Sequence, residues 1–162
     1  MSVVVRVKAP RPPERVLYVD ATDQIVGRLA SIVAKKLLEG YRVYILNAEK
    51  AVLSGDPLRV IWSYQKLLGV KVHVNPYKWS MHRPRDPRWI VKDAIEGMLP
   101  KHNARGREAK KRLKVYIGVP EEFKDKKLVR FPEADASRLA HKFIRVEEVA
   151  KAMGWKGVLA KP

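Results

Sequence analysis

Two stretches of the chain hold side chains whose types and spacing can do chemistry, and in both the chemistry is the recognition of anions. In GMLPKHNARGREAKKRLKVYIGVP, residues 97–120, seven Lys or Arg fall within the fourteen positions 101–114 and Glu108 is the one acid among them. A solvated helix face normally pairs Lys with Glu four positions away, and this stretch has too few acids to do so. The same cations against a phosphate backbone release counterions, Arg as a bidentate fork and Lys as a point charge. Lys101, Arg105, Arg107, Lys110, Lys111, Arg112 and Lys114 are therefore candidate phosphate ligands. His102 and Asn103 can hydrogen-bond RNA, and Asn103 equally suits the cap of the turn that follows. Gly106 permits either a close backbone approach to phosphate or a tight turn.

The second stretch, NPYKWSMHRPRDPRW at 75–89, interleaves Tyr77, Trp79 and Trp89 with Lys78, Arg83, Arg85 and Arg88. Aromatics beside cations in a proline-broken loop suit stacking on unpaired bases together with phosphate contact. Loop packing competes with stacking for Tyr77 and Trp79, and Trp89 and Trp62 are expected in the core. Residues 78–114 carry twelve cations against four acids, nearly half of the +17 net charge, whereas 120–150 balances seven against seven. So large an imbalance repels itself unless an anionic partner supplies counter-charge.

Catalytic alternatives find no support in the spacing. The four histidines are scattered singly, there is no HExxH and no cysteine, and no GxGxxG or GxxxxGK follows the first strand. Asp20 and Asp23 could pair, but Asp23 is expected as a helix cap. No cofactor is expected. No run approaches the ~18 apolar residues of a membrane span, and the start lacks a signal-peptide pattern, so a cytosolic chain is expected.

The elements that must hold these residues follow from periodicity. At 162 residues, 46% hydrophobic, the chain can bury a core. Residues 1–14, with a PRPP cluster, read as an extended basic arm. Residues 15–120 read as the core domain, and 121–162 as an extension with a closing helix packed on the core or on neighbours. VLYVD (16–20) is a strand. Thr22 or Asp23 caps a helix whose Ile25, Leu29, Ile32, Val33 and Leu37 share a face up to Gly40, and RVYILN (42–47) is a second strand. A right-handed βαβ unit results. Asp56-Pro57 and Asp86-Pro87 open two further helices. Val70 to Val74 reads as extended, LKVYIGV as a buried strand, and VEEVAKAMGW as the closing helix with Gly154 at its end.

In that order, DATDQIVGRLASIVAKKLL, YILNAEKAVLSGD and IEGMLPKHNARGREAKKRLKVYIG resemble the large-subunit ribosomal protein L-thirteen family in its archaeal and eukaryotic form, over roughly residues 16–120. The resemblance implies an α/β fold, a three-layer α/β/α sandwich around a mostly parallel four-stranded sheet. It implies a structural, non-enzymatic protein of the large ribosomal subunit that binds and organises ribosomal RNA during assembly. The implied partners are that RNA and neighbouring ribosomal proteins, with no membrane or small-molecule substrate. Gly27 and Arg28 match the family's VGR block, which suggests close packing or RNA approach at the start of the first helix. The bacterial glycine-rich HTGYPGG-like loop is replaced here by HRPRDPRW, so bacterial contacts there do not carry over. A free RNA-binding regulator and an RNA-modifying enzyme are the alternative functions.

Overall fold

Two β-rich runs separated by one amphipathic helix set the centre of the molecule. The computed structural model describes residues 15–79 and 84–157. Strand β1 (Val16–Asp20) and strand β2 (Arg42–Leu46) pair in parallel, with Val16 opposite Arg42 and Asp20 opposite Leu46. Helix α1 (Val26–Leu38) connects them and buries Val26, Leu29, Ala30, Val33, Ala34 and Leu37, the spacing of one helical face. It ends at Gly40, whose φ of +99° lies in the region open to glycine.

Three further strands, β3 (Val52–Ser54), β4 (Leu113–Val115) and β5 (Phe143–Arg145), form two arrangements. β4 joins the free side of β2 in parallel, giving the order β1-β2-β4, while β3 and β5 pair antiparallel as a separate ribbon. The fold is thus an α/β sandwich with a mostly parallel sheet, as expected. It differs in strand count: three strands form the described parallel sheet, and the fourth place, beside β1, is held by Val129 alone. Val129 bridges Val19, donating to the Tyr18 carbonyl at 2.8 Å and accepting from the Asp20 amide at 3.1 Å. Pro132 follows two residues after Arg130, and proline cannot donate to a ladder, so the pairing does not extend.

Helices α2 (Pro57–Leu68), α4 (Pro87–Gly97) and α6 (Val146–Ala152) complete the body, with a single helical turn α3 (Pro76–Trp79) and the basic helix α5 (Ala104–Lys111) between them. Asp56 and Asp86 cap α2 and α4 as expected, accepting from the amides of Arg59 (3.4 Å) and Arg88 (2.9 Å). Side chains alternate across a strand, so Val19, Val43, Ile45 and Leu113 meet α1 and α4 on one face of the sheet. On the other face Phe123 seats against Tyr18, Tyr44 and Tyr116, with ring centres 5.2 to 5.5 Å away. Val146, Val149 and Ala150 of the closing helix, with Met153 just after it, belong to the core shared with α1 and α4, and Gly154 follows at φ +98°. Among the described residues no helix is long and apolar enough to cross a membrane.

Three expectations change. Asp23 does not cap α1: Ile25 occupies that position without a side-chain bond, and Asp23 sits at φ +54° with its carboxylate 3.3 Å from Arg145. Asp20 instead accepts from the Thr22 amide and hydroxyl and from the Asn47 side chain at 2.9 Å. Burial pushes the Asp20 carboxyl up, but these hydrogen bonds, with the charge on Arg130, outweigh it and leave the group below its usual range. Both aspartates have structural partners. Val70–Val74 forms no strand, since no neighbouring strand meets it and Val74 is exposed. Trp62 and Trp89 are not core residues: they are 60% and 52% exposed, each with a lysine ammonium over its ring, Lys66 at 4.8 Å and Lys92 at 4.4 Å.

Candidate nucleic-acid interface

The cationic stretch begins where α4 runs out. After Leu99, which is buried, Pro100 turns the chain and Lys101, His102 and Asn103 are exposed. Asn103 occupies the N-cap position of α5, but its side chain makes no capping bond. Only Gly106 and Ala109 of α5 are buried, so the helix lies on the body through two of its three small residues and turns its charged residues outward. Gly106 is there for contact distance: a Cβ at this position would stand 1.8 Å from the Pro100 carbonyl oxygen. Of the two uses open in the sequence, close approach is the one realised, and the group approached is the chain's own backbone.

The cations then divide by what they touch. Arg105 donates to the Leu38 carbonyl at 3.1 Å, and Arg112, half-buried, to the Leu37 carbonyl at 3.0 Å. Both satisfy carbonyls in the last turn of α1, the negative end of its dipole. Lys110 pairs with Glu96 of α4 at 2.6 Å. Lys101, His102, Arg107, Lys111 and Lys114 are exposed and form no ion pair among the described residues. Lys114 lies 5.9 Å from the centre of the Tyr44 ring. These five form the unpaired part of the surface, and Glu108 neutralises none of them.

The second stretch is only partly described. Arg83 lies outside the described residues. Trp79 closes α3, and its side chain is likewise outside what is described. Asn75 caps that turn by accepting from the Lys78 amide at 3.1 Å, and Tyr77 is almost fully exposed. Arg85 is exposed, its guanidinium 3.9 Å from where a Cβ on Gly154 would stand. Arg88 folds back on Asp86, with its closest nitrogen 2.6 Å from the carboxylate. Burial raises the Asp86 carboxyl, yet the Arg88 guanidinium and amide hold it below the usual range, and Arg88 is raised in turn.

The two stretches meet along β4. Arg88, Trp89 and Lys92 from the start of α4 face Leu113, Lys114, Val115 and Tyr116 across a groove of about 360 Å³. Lys92 and Tyr116 do not stand out in the sequence; the signal for Lys92 is its place one helical turn after Trp89. Arg28 is elsewhere. It is exposed near the start of α1, its guanidinium 3.5 Å from the Glu133 carbonyl, beside a depression shared with Ser31 and Arg138. Ten residues of helix, about 15 Å, separate it from the Leu38 carbonyl that Arg105 holds. Arg138 is invisible as a candidate because it lies in the charge-balanced segment.

No set of three or more metal-ligating side chains gathers among the described residues. The comparison with known proteins bears out the family resemblance. Residues 14–122 match the family described as Ribosomal protein L13. The protein named large ribosomal subunit protein uL13 from Aeropyrum pernix is 55% identical, covering 91% of this chain and 95% of the relative. Its namesakes from Saccharolobus solfataricus and Methanosarcina barkeri are 49% and 43% identical, over 89% and 85% of this chain and 96% and 97% of theirs. With two thirds of its length inside the family's pattern and relatives matched nearly end to end, the chain belongs to the ribosomal protein L13 family.

Proposed function

We propose that the chain is a structural constituent of the large ribosomal subunit, working by binding and not by turnover, and that it organises ribosomal RNA through its basic surface. The observation that carries this beyond the family name is the division of the 101–114 cations. Arg105, Lys110 and Arg112 hold the helix to the body, while Lys101, Arg107, Lys111 and Lys114 stand exposed with no acid paired to them among the described residues. A fold that fixes a helix through three cations and leaves four uncompensated presents charge in a set geometry, and phosphate is the counter-charge that suits it. His102 extends this surface, and Arg28, Lys78, Trp79, Arg83, Arg85 and Arg88 are its further candidate contacts. Neighbouring ribosomal proteins are the second class of partner, and the cytoplasm is the compartment.

Sedimentation of cell extract through a sucrose gradient at moderate and high salt tests the proposal. Residence of the chain in the large-subunit peak at both salts is expected. Recovery in the light fractions would overturn it and favour a free RNA-binding role.

A further inference from the structure

The groove between α4 and β4 has properties that a phosphate-binding surface does not need. Among the described residues β4 is an edge of the parallel sheet. The Val43 amide donates to the Arg112 carbonyl, and the Tyr116 amide to the Ile45 carbonyl. Peptide groups alternate along a strand, so this register commits the Lys114 peptide groups and the Tyr116 amide to β2, the Tyr116 carbonyl accepting from the Ala48 amide just beyond it, and turns the peptide groups of Leu113 and Val115 toward the open edge. The groove therefore has a floor of peptide donors and acceptors.

Its walls are aromatic. On one side stands Trp89, half-exposed on the first turn of α4; on the other stands Tyr116, half-buried and stacked toward Tyr44 with ring centres 6.4 Å apart. Cations flank both walls. Lys92 holds its ammonium 4.4 Å from the centre of the Trp89 ring, and exposed Lys114 reaches in from β4. Arg88 borders the groove already paired with Asp86. Lys92 lies 3.7 Å from Glu96, so Lys114 is the groove cation without an acid among the described residues.

We propose that this groove takes an unpaired RNA nucleotide, its base stacked on Trp89 and read by the peptide edge of β4, its phosphates met by Lys92 and Lys114. The inference rests on the RNA-binding reading above and deepens it, because duplex RNA buries its base faces and could use only the cations. Aromatic faces next to peptide hydrogen-bonding groups match the way exposed bases of single-stranded RNA are held. A volume of about 360 Å³ is of the order of a small-ligand site and admits a single base. A protein strand added to the β4 edge would use the peptide groups but would not call for lysines on both walls.

The experiment uses the whole chain with two probes, a short oligouridylate and a blunt RNA duplex of equal length, titrated by fluorescence anisotropy of the labelled RNA. Trp89→Ala is expected to weaken oligouridylate binding about tenfold, the effect of removing one base stack, with little change for the duplex. Trp89→Phe, which keeps a ring and tests that the fold is intact, is expected to restore most of that affinity. Lys114→Ala is expected to flatten the oligouridylate salt dependence by a log–log slope of about 0.7, one single-strand phosphate contact. Oligouridylate binding unaffected by Trp89→Ala, with the duplex still bound, would overturn the groove alone and leave its edge to a protein strand. If the unaltered chain bound neither RNA, the broader RNA-binding reading would fall with it.

Discussion

Changing Lys101, Arg107, Lys111 and Lys114 to glutamate together is expected to abolish retention of the chain on large-subunit RNA while leaving it folded. None of the four forms an ion pair among the described residues, and all four are exposed, so reversal breaks no ion pair; the side-chain contact it removes is that of Lys114 with the Tyr44 ring, whose centre is 5.9 Å away. Each reversal subtracts two charges, which takes the net charge from +17 to +9 and relieves self-repulsion. On RNA the effect is opposite: every phosphate left without its cation takes about 0.7 (single strand) to 0.9 (duplex) from the log–log salt slope, and each glutamate adds repulsion. Filter binding over a salt series reads the slope, and circular dichroism checks the fold. A set selected from the sequence alone, Arg105, Arg107, Lys110 and Lys111, would mix two effects, since Arg105 and Lys110 also anchor α5. Reversal of the four exposed cations with an unchanged slope would remove this surface from the RNA interface.

Substituting Gly106 with alanine is expected to destabilise the chain by about 3 kcal/mol, the upper part of the range for overpacking a well-packed contact. Alanine is the better helix former by about 1 kcal/mol, so propensity alone predicts the opposite sign. The steric term wins because the added methyl would stand 1.8 Å from a backbone oxygen, which has no rotamer to yield. Relief requires α5 to lift from Pro100, and lifting it unseats Ala109 from the core and pulls Arg112 from the Leu37 carbonyl. A lower urea midpoint with an unchanged denaturant slope is the expected record. A midpoint equal to or above that of the unaltered chain would show that α5 is not held by this contact. Because α5 carries Arg107 and Lys111, the same variant should weaken RNA binding without altering any cation.

Local signals in the sequence are legible because the physics behind them is local. An aspartate followed by proline opens a helix through one carboxylate and one fixed φ, and Asp56 and Asp86 do so here. The α1 stripe and the flanking strands follow from periodicity within a single segment. The charge excess at 101–114 is equally plain, yet composition cannot divide it. Arg105 and Arg112 find their carbonyls 67 and 75 residues away, a pairing that no window of the sequence contains. The tryptophans mislead for a related reason. Trp62 and Trp89 sit at helical positions that could face a core, and whether another element covers them is a property of the tertiary fold. β3 and β5 are three residues each, too short to carry a pattern, and they exist because they find each other. Of the candidate contacts, Arg88 and Lys114 are brought to one groove, Arg28 stands apart from α5, and Arg83 lies outside the described residues.

The central claim, that the exposed cations of 101–114 lie on RNA, is tested most directly by lysine acylation footprinting, comparing the free chain with the chain in isolated large subunits and reading each site by mass spectrometry. Lys101, Lys111 and Lys114 are exposed in the free chain and should all react. The account predicts that all three become protected in the subunit and regain reactivity when its RNA is digested. Equal reactivity of the three in the free and subunit-bound chain would contradict it.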